Sequence, residues 1–206
     1  MSYAQEIEEK LEEVKYRNIG PFRGGRSVSS VGVVNDPLTY YMGTAGGGLW
    51  KTTNAGSEWF NISDDYFKTS SVGAIAVSES DSRIIYVGMG EHSPRGVTTS
   101  YGDGIYKSTD AGQTWDHLGL DNTQQISRII IHPDDNNIVY VAAQGAINGP
   151  TKERGVYKSI DGGKTWRNVL FVNELSGASE LSIDINNPKV LYATMWEHQR
   201  LPWKVI

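Results

Sequence analysis

Cysteine is absent from the 206-residue chain. That alone excludes a disulfide framework and a thiolate zinc site. Basic residues are in the minority, 19 Lys and Arg against 24 Asp and Glu, giving a formal net charge of −5. A general nucleic-acid binder concentrates positive charge on one face, so no nucleic-acid partner is expected. No apolar run reaches the ~18 residues of a membrane-spanning helix. The N-terminus lacks the succession of basic, apolar and small residues of a signal peptide. Ser2-Tyr3-Ala4 has only the small-x-small form that precedes a cleavage site, a match short enough to arise by chance. Proline numbers 7 and aromatic residues make up 10%, a composition unlike a disordered chain. Glycine, at 23 residues, is plentiful, as are Trp at 6 and Tyr at 11. These abundances describe a turn-rich globular domain.

The glycines and tryptophans recur in register. Gly104-Ile105-Tyr106-Lys107-Ser108-Thr109-Asp110-Ala111-Gly112-Gln113-Thr114-Trp115 returns as Gly155-Val156-Tyr157-Lys158-Ser159-Ile160-Asp161-Gly162-Gly163-Lys164-Thr165-Trp166. A degenerate copy runs from Gly48-Leu49-Trp50-Lys51-Thr52-Thr53-Asn54-Ala55-Gly56 to Trp59. The copies follow one another at roughly fifty residues, the length of a four-stranded propeller blade with an insertion. The fold class expected is therefore all-β: a β-propeller of four-stranded antiparallel blades. The strands expected are Val28–Val34, Thr39–Gly43, Leu49–Thr52 and Glu58–Ile62 in the first unit. The second has Val72–Val77, Ile84–Met89, Ile105–Ser108 and Thr114–Leu118, and the third Ser127–His132, Ile138–Ala143, Val156–Ser159 and Thr165–Phe171. First strands such as Ile129-Ile130-Ile131 are apolar throughout, as suits a strand buried on both faces.

The blades span about residues 26–63, 70–120 and 125–172, with a partial fourth at 178–206 built from Ser179–Ile185 and Val190–Met195. Lys15-Tyr16-Arg17-Asn18-Ile19 resembles Thr165-Trp166-Arg167-Asn168-Val169, so residues 15–20 read as a fourth strand that closes a ring. Ile7, Leu11 and Val14 share a helical face, so 1–14 reads as a helical or flexible N-terminal segment. Three and a half blades read as the N-terminal portion of a larger ring, whose further C-terminal blades would complete it. A compact four-bladed ring is the other arrangement.

The S-x-D-x-G-x-T-W segment explains itself as a hairpin turn between third and fourth strands. Its carboxylate accepts backbone N–H bonds, and its glycine takes a positive φ. Its Trp covers apolar surface between blades. Ser108, Asp110, Gly112 and Trp115, with Ser159, Asp161, Gly163 and Trp166, are therefore assigned to structure rather than chemistry.

Blade topology puts these turns on one face and the insertions after second strands on the other: Gly90–Asp103, Gln144–Arg154 and the stretch from Trp196. Long loops on one face of a rigid scaffold are where binding resides. Glu91-His92 with Arg95, and Glu197-His198 with Arg200, each follow a second-strand tyrosine by five residues. Arg23 and Arg26, in a glycine-rich link, project to the same mouth. Such Glu-His pairs can serve as acid/base groups or metal ligands, or simply form ion pairs with arginine between blades. The ion pair is the preferred reading, and no metal site or cofactor is expected. His117 and His132 are read as structural. Gly43-Thr44-Ala45-Gly46-Gly47-Gly48 lacks the Lys-Ser/Thr ending of a phosphate loop and reads as a tight link near the axis.

The S-x-D-x-G-x-T-W turns are Asp boxes. With Arg17-Asn18-Ile19-Gly20-Pro21-Phe22-Arg23-Gly24-Gly25-Arg26 and Gly46-Gly47-Gly48-Leu49-Trp50-Lys51-Thr52 they resemble the BNR/Asp-box propeller superfamily. The nearest likeness is to bacterial sortilin-type and glycosyl-hydrolase-like BNR-repeat proteins. The resemblance implies a propeller, commonly secreted or periplasmic, with carbohydrate or peptide ligands. It also brings departures. Sialidases of the superfamily use an arginine triad and a Tyr nucleophile, to which Arg23 and Arg26 have no assured match. Xyloglucan-processing hydrolases carry an aspartate in the link after the first blade's second strand, where this chain has Ala45. Photosystem-assembly factors with Asp boxes act by binding protein. The expected function is non-catalytic recognition or scaffolding, with a peptide, protein or glycan ligand on the insertion face. The alternative is part of a sialidase- or xyloglucanase-like glycoside hydrolase, with Glu91 or Glu197 as acid/base.

Overall fold

The computed structural model describes residues 26–93, 99–197, 199–201 and 204–205. The segments read as helix at 1–14 and closing strand at 15–20 lie outside them. Strands β1 (Ser27–Val33), β2 (Asp36–Thr44), β3 (Leu49–Thr52) and β4 (Phe60–Asn61) form one antiparallel sheet in that order. A second holds β5 (Val72–Val77), β6 (Ile85–Met89), β7 (Ile105–Ser108) and β8 (Asp116–His117). A third holds β9 (Ile126–His132), β10 (Asp135–Ala143), β11 (Gly155–Ser159) and β12 (Arg167–Leu170). The fourth sheet has two strands, β13 (Ser176–Ile183) and β14 (Leu191–Glu197). A short hairpin not foreseen in the sequence, β15 (Arg200–Leu201) with β16 (Lys204–Val205), follows it. The first strands β1, β5, β9 and β13 lie side by side as the inner edges of successive blades.

Side chains alternate across each blade, so one strand supplies two interfaces. Ile85, Val87 and Met89 of β6 join Tyr41, Leu49, Val72 and Trp115 between the first and second blades. Tyr86, between them in sequence, turns the other way and joins Ile126, Ile129, Val139 and Val141. Ala142, Val156, Ala178 and Leu181 pack between the third and fourth. The apolar run in β9 is divided in the same way: Ile129 and Ile131 face the second blade, and Ile130 the fourth. A Cβ on Gly88 would run into Ile126, so glycine there lets the blades approach.

The outermost strands are shorter than the sequence suggested because the turns before them take their backbone donors. Asp110 Oδ1 accepts from the N–H groups of Gln113 and Thr114 at 2.9 Å each, and Thr114 Oγ1 donates to Oδ2 at 2.6 Å. Ser108 Oγ donates to Asp110 Oδ1 at 2.7 Å and accepts from Gly112 N–H at 2.8 Å. The turn at Asp161 repeats this, with Thr165 N–H at 2.9 Å, Thr165 Oγ1 at 2.6 Å and Ser159 Oγ at 2.8 Å. The degenerate first copy has the same shape with its chemistry exchanged. Asn54 Oδ1 accepts from Thr52 Oγ1 and Glu58 N–H at 2.9 Å each, while Asn54 Nδ2 donates to Glu58 at 3.3 Å. Two successive residues take positive φ in every copy: Ala55 and Gly56, Ala111 and Gly112, Gly162 and Gly163.

The turns of the second and third blades are each held by the blade before them. Tyr41 Oη and Lys51 Nζ donate to the Ala111 carbonyl at 3.3 and 2.9 Å, and Trp115 Nε1 donates to the Ile62 carbonyl at 3.0 Å. One blade later, Tyr86 Oη and Lys107 Nζ donate to the Gly162 carbonyl at 2.9 and 3.0 Å, and Trp166 Nε1 to the Leu118 carbonyl at 2.8 Å. Burial pushes the Tyr41 phenol up to about 12, with the charge of Asp36 adding to it.

The turns carry a pH dependence. Asp110 and Asp161 are held down to about 2, first by the threonine hydroxyls that hydrogen-bond them. An unfolded aspartate titrates near ~3.9, so the stabilisation is complete above that pH and lost as pH falls toward about 2. Denaturant midpoints of the wild type and the Asp110→Asn/Asp161→Asn variant should differ at pH 6 and converge at pH 2. A gap that stays constant over that range contradicts this assignment.

Candidate functional site

The insertion face is set by a β-bulge where each inner strand meets its partner. The register slips between Ser27 and Ser29, Val72 and Ala74, and Ala178 and Glu180, and at Ala142/Ala143 in the third blade. Bulges re-aim the chain where pairing ends. Beyond them the segments are tied down closely. Arg154, wholly buried, donates to the carbonyls of Gln144 at 2.6 Å, Gly149 at 3.2 Å and Ala146, thereby closing the third blade's insertion on itself. In the second blade Asp103 accepts from Thr69 Oγ1 at 2.8 Å and Tyr106 Oη at 2.6 Å. Burial, then the Asp103 bond, pushes the Tyr106 phenol up to about 12.

Of the residues singled out in the sequence, the structure brings Arg26 and Glu91 together as an ion pair between the first and second blades. Glu91 has no exposed surface, and its Oε2 accepts from Ser100 N–H at 3.3 Å. A carboxylate so placed braces the base of the insertion. His92 is half-buried beside it. Burial lowers its pKa, against the opposing influence of the Gly73 backbone and the charge of Glu180, so the imidazole is neutral at pH 7. Glu197 ends β14, exposed and paired in the ladder with Ser176. Arg200 lies in β15, and Arg23, Arg95 and His198 fall outside the described residues. Among the described residues no three His, Asp or Glu side chains gather as a metal-ion cluster. The tight link read at Gly43–Gly48 is present. Thr44 Oγ1 donates to the Gly48 carbonyl and accepts from Gly47 N–H, both at 2.9 Å, and Ala45 is buried. His117 Nε2 meets the Asp103 carbonyl at 2.6 Å, and His132 Nδ1 accepts from Asp134 N–H at 3.2 Å, both within local structure.

Two features escaped the sequence reading. The first is a groove of about 560 Å3 between the link leaving the first blade and the insertion of the second. Ser63, Asp64, Lys68, Thr69, Ser100 and Tyr101 line it. Tyr101 is 67% exposed. An aromatic within a polar insertion was the available signal. The second is a cleft of about 390 Å3 between the inner strands, toward the opposite face. Arg128 of β9 and Glu180 of β13 meet beside it, Nε to Oε1 at 3.2 Å.

Comparison with known proteins follows the geometry. Residues 103–202 match the family model described as sortilin, neurotensin receptor 3 (Sortilin-Vps10). A xyloglucanase from Paenibacillus sp. is 26% identical over 141 residues, 63% of this chain and 13% of that protein. The Niastella koreensis GH74 enzyme is 26% identical, with a TM-score of 0.60 over 77% of this chain and 23% of its own. An ancestral GH74 enzyme, 19% identical, superposes with a TM-score of 0.66 over 86% of this chain and 22% of its own, a likeness of fold. This chain is a β-propeller of antiparallel blades, similar over part of its length to the sortilin-type family model and to GH74 enzymes. The chain spans less than a quarter of the length of each of these relatives. Among its described residues, no helix is long and apolar enough to cross a membrane.

Proposed function

We propose that this part of the propeller recognises a glycan on its insertion face without itself supplying an acid/base pair, in a secreted or periplasmic setting. The groove at Tyr101 carries the reading: an exposed aromatic residue lines it together with the polar residues Ser63, Asp64, Lys68, Thr69 and Ser100. A ring face offers apolar cover to the C–H face of a sugar, while the polar groups meet its hydroxyls. The likeness to the Paenibacillus xyloglucanase over 63% of the chain points to a β-glucan of the xyloglucan class as ligand. Glu91 supports the non-catalytic half of the reading, since it is buried against Arg26 rather than open to a glycosidic bond. Hydrolysis by two carboxylates needs both within reach of that bond.

The test is titration calorimetry with xyloglucan oligosaccharides beside an assay of reducing-sugar release. Saturable binding that falls tenfold or more in Tyr101→Ala, with no new reducing ends, is expected. Release of reducing sugar that disappears in Glu197→Gln would make this portion catalytic. Unchanged affinity in Tyr101→Ala would remove the groove from the site.

A further inference from the structure

Asparagine followed by glycine occurs once in the chain, at Asn148-Gly149. The pair has a chemistry of its own. A backbone N–H that follows asparagine can attack that residue's side-chain amide and close a five-membered ring. Glycine favours this most, because no Cβ shields its nitrogen and its dihedrals are the least restricted. A fold suppresses the reaction by tying the amide or the N–H into hydrogen bonds. Asn54, Asn61, Asn137 and Asn168 are tied in this way through their side chains.

Asn148 is not. It is exposed, and among the described residues neither its side-chain amide nor the Gly149 N–H makes a hydrogen bond. A Cβ built on Gly149 would meet nothing within 4 Å, and its φ lies outside the positive range. There is room for the ring to close. The flanks are what the fold fixes: Ile147 is 3% exposed and Arg154 is wholly buried. Two donors also polarise the reacting segment. Gln199 Nε2 donates to the Asn148 carbonyl at 3.1 Å, the oxygen that takes up charge when the Gly149 nitrogen loses its proton. The Arg154 guanidinium donates to the next carbonyl, that of Gly149, at 3.2 Å. A donor and a fixed positive charge so placed favour the amidate.

We propose that Asn148-Gly149 is a self-modification site, at which the insertion of the third blade converts its own amide to a carboxylate. The Gly149 nitrogen, its proton passed to hydroxide, bonds to Asn148 Cγ. The Cγ–Nδ2 bond breaks, and Nδ2 leaves as ammonia after taking a proton from water. Water then opens the cyclic imide at either carbonyl, leaving an aspartyl or an isoaspartyl linkage at that position. The net change is one water consumed and one ammonia released. Each event adds a negative charge to the insertion face. The isoaspartyl form also lengthens the main chain by one carbon between Ala146 and Gly149, whose carbonyls hold Arg154.

The experiment is peptide mapping by mass spectrometry of the full chain after incubation at pH 6 and at pH 8. A gain of about 1 Da is expected first at Asn148 and faster at pH 8, with both products resolved by electron-transfer fragmentation. A synthetic peptide copying residues 145–152 supplies the rate of the sequence alone, and the folded chain should match or exceed it. Gly149→Ala, which the open space accommodates, should remove most of the gain. Gln199→Leu should slow it about threefold or more while keeping the pH dependence. Each variant is first checked for an unchanged circular dichroism spectrum. No gain at Asn148, a folded rate far below that of the peptide, or earlier modification at another asparagine overturns the proposal. An unchanged rate in Gln199→Leu overturns the assistance assigned to that side chain.

Discussion

Trp115→Ala is expected to cost about 3–5 kcal/mol of stability, the range for removing a large buried aromatic side chain. Trp115 is 7% exposed and packs edge-on against Phe67 with ring centroids 5.2 Å apart. It also joins Tyr41, Leu49 and Val87 in the core between the first two blades. Truncation leaves a cavity at that interface and orphans the Ile62 carbonyl, which now receives the indole N–H. Trp59 occupies the same place in the first turn but is only half-buried. Trp59→Ala should cost well under half as much. Urea unfolding of the two variants, followed by far-ultraviolet circular dichroism, checks the pair. Equal losses would mean that the indole contributes within its own turn rather than between blades.

Arg154→Ala should cost about 3 kcal/mol or more, because a buried charged donor leaves several partners unsatisfied when it goes. The carbonyls of Gln144, Ala146 and Gly149 all lose their donor. Burial lowers the Arg154 pKa from its ordinary value. The loss should be local as well as global. Amides of residues 145–152 should exchange hydrogen much faster in the variant, while those of β5 and β6 keep their rates. Uniform acceleration across all blades would show that Arg154 serves the whole array and not its own insertion.

The blade plan was legible because it is repeated and local. Gly, Ser, Asp, Gly and Trp at fixed spacing specify a turn whose hydrogen bonds close within a few residues. Strands β5 and β7 accordingly run over the residues read from the sequence. The first copy looked degenerate only because Asn54 and Glu58 exchange the donor and acceptor roles of Asp and Thr, preserving the geometry with different letters. The site was less legible because its determinants cross blades. Arg26 and Glu91 were each placed on the mouth, but their pairing depends on the packing of β1 against β5. Arg128 and Glu180 lie in two strands whose neighbourhood is a property of the assembled array. The Tyr-Lys grip was equally hidden: Lys51 and Lys107 recur visibly in sequence, yet each acts on a turn of the next blade, 60 and 55 residues downstream.

Glycan recognition on the insertion face is tested most directly by a hydrogen-exchange footprint of the chain with and without saturating xyloglucan oligosaccharides. Protection is expected in residues 63–70 and 99–103, around Tyr101, with the turns at 108–115 and 159–166 unchanged. Protection confined to those turns, or no protection anywhere, would contradict it.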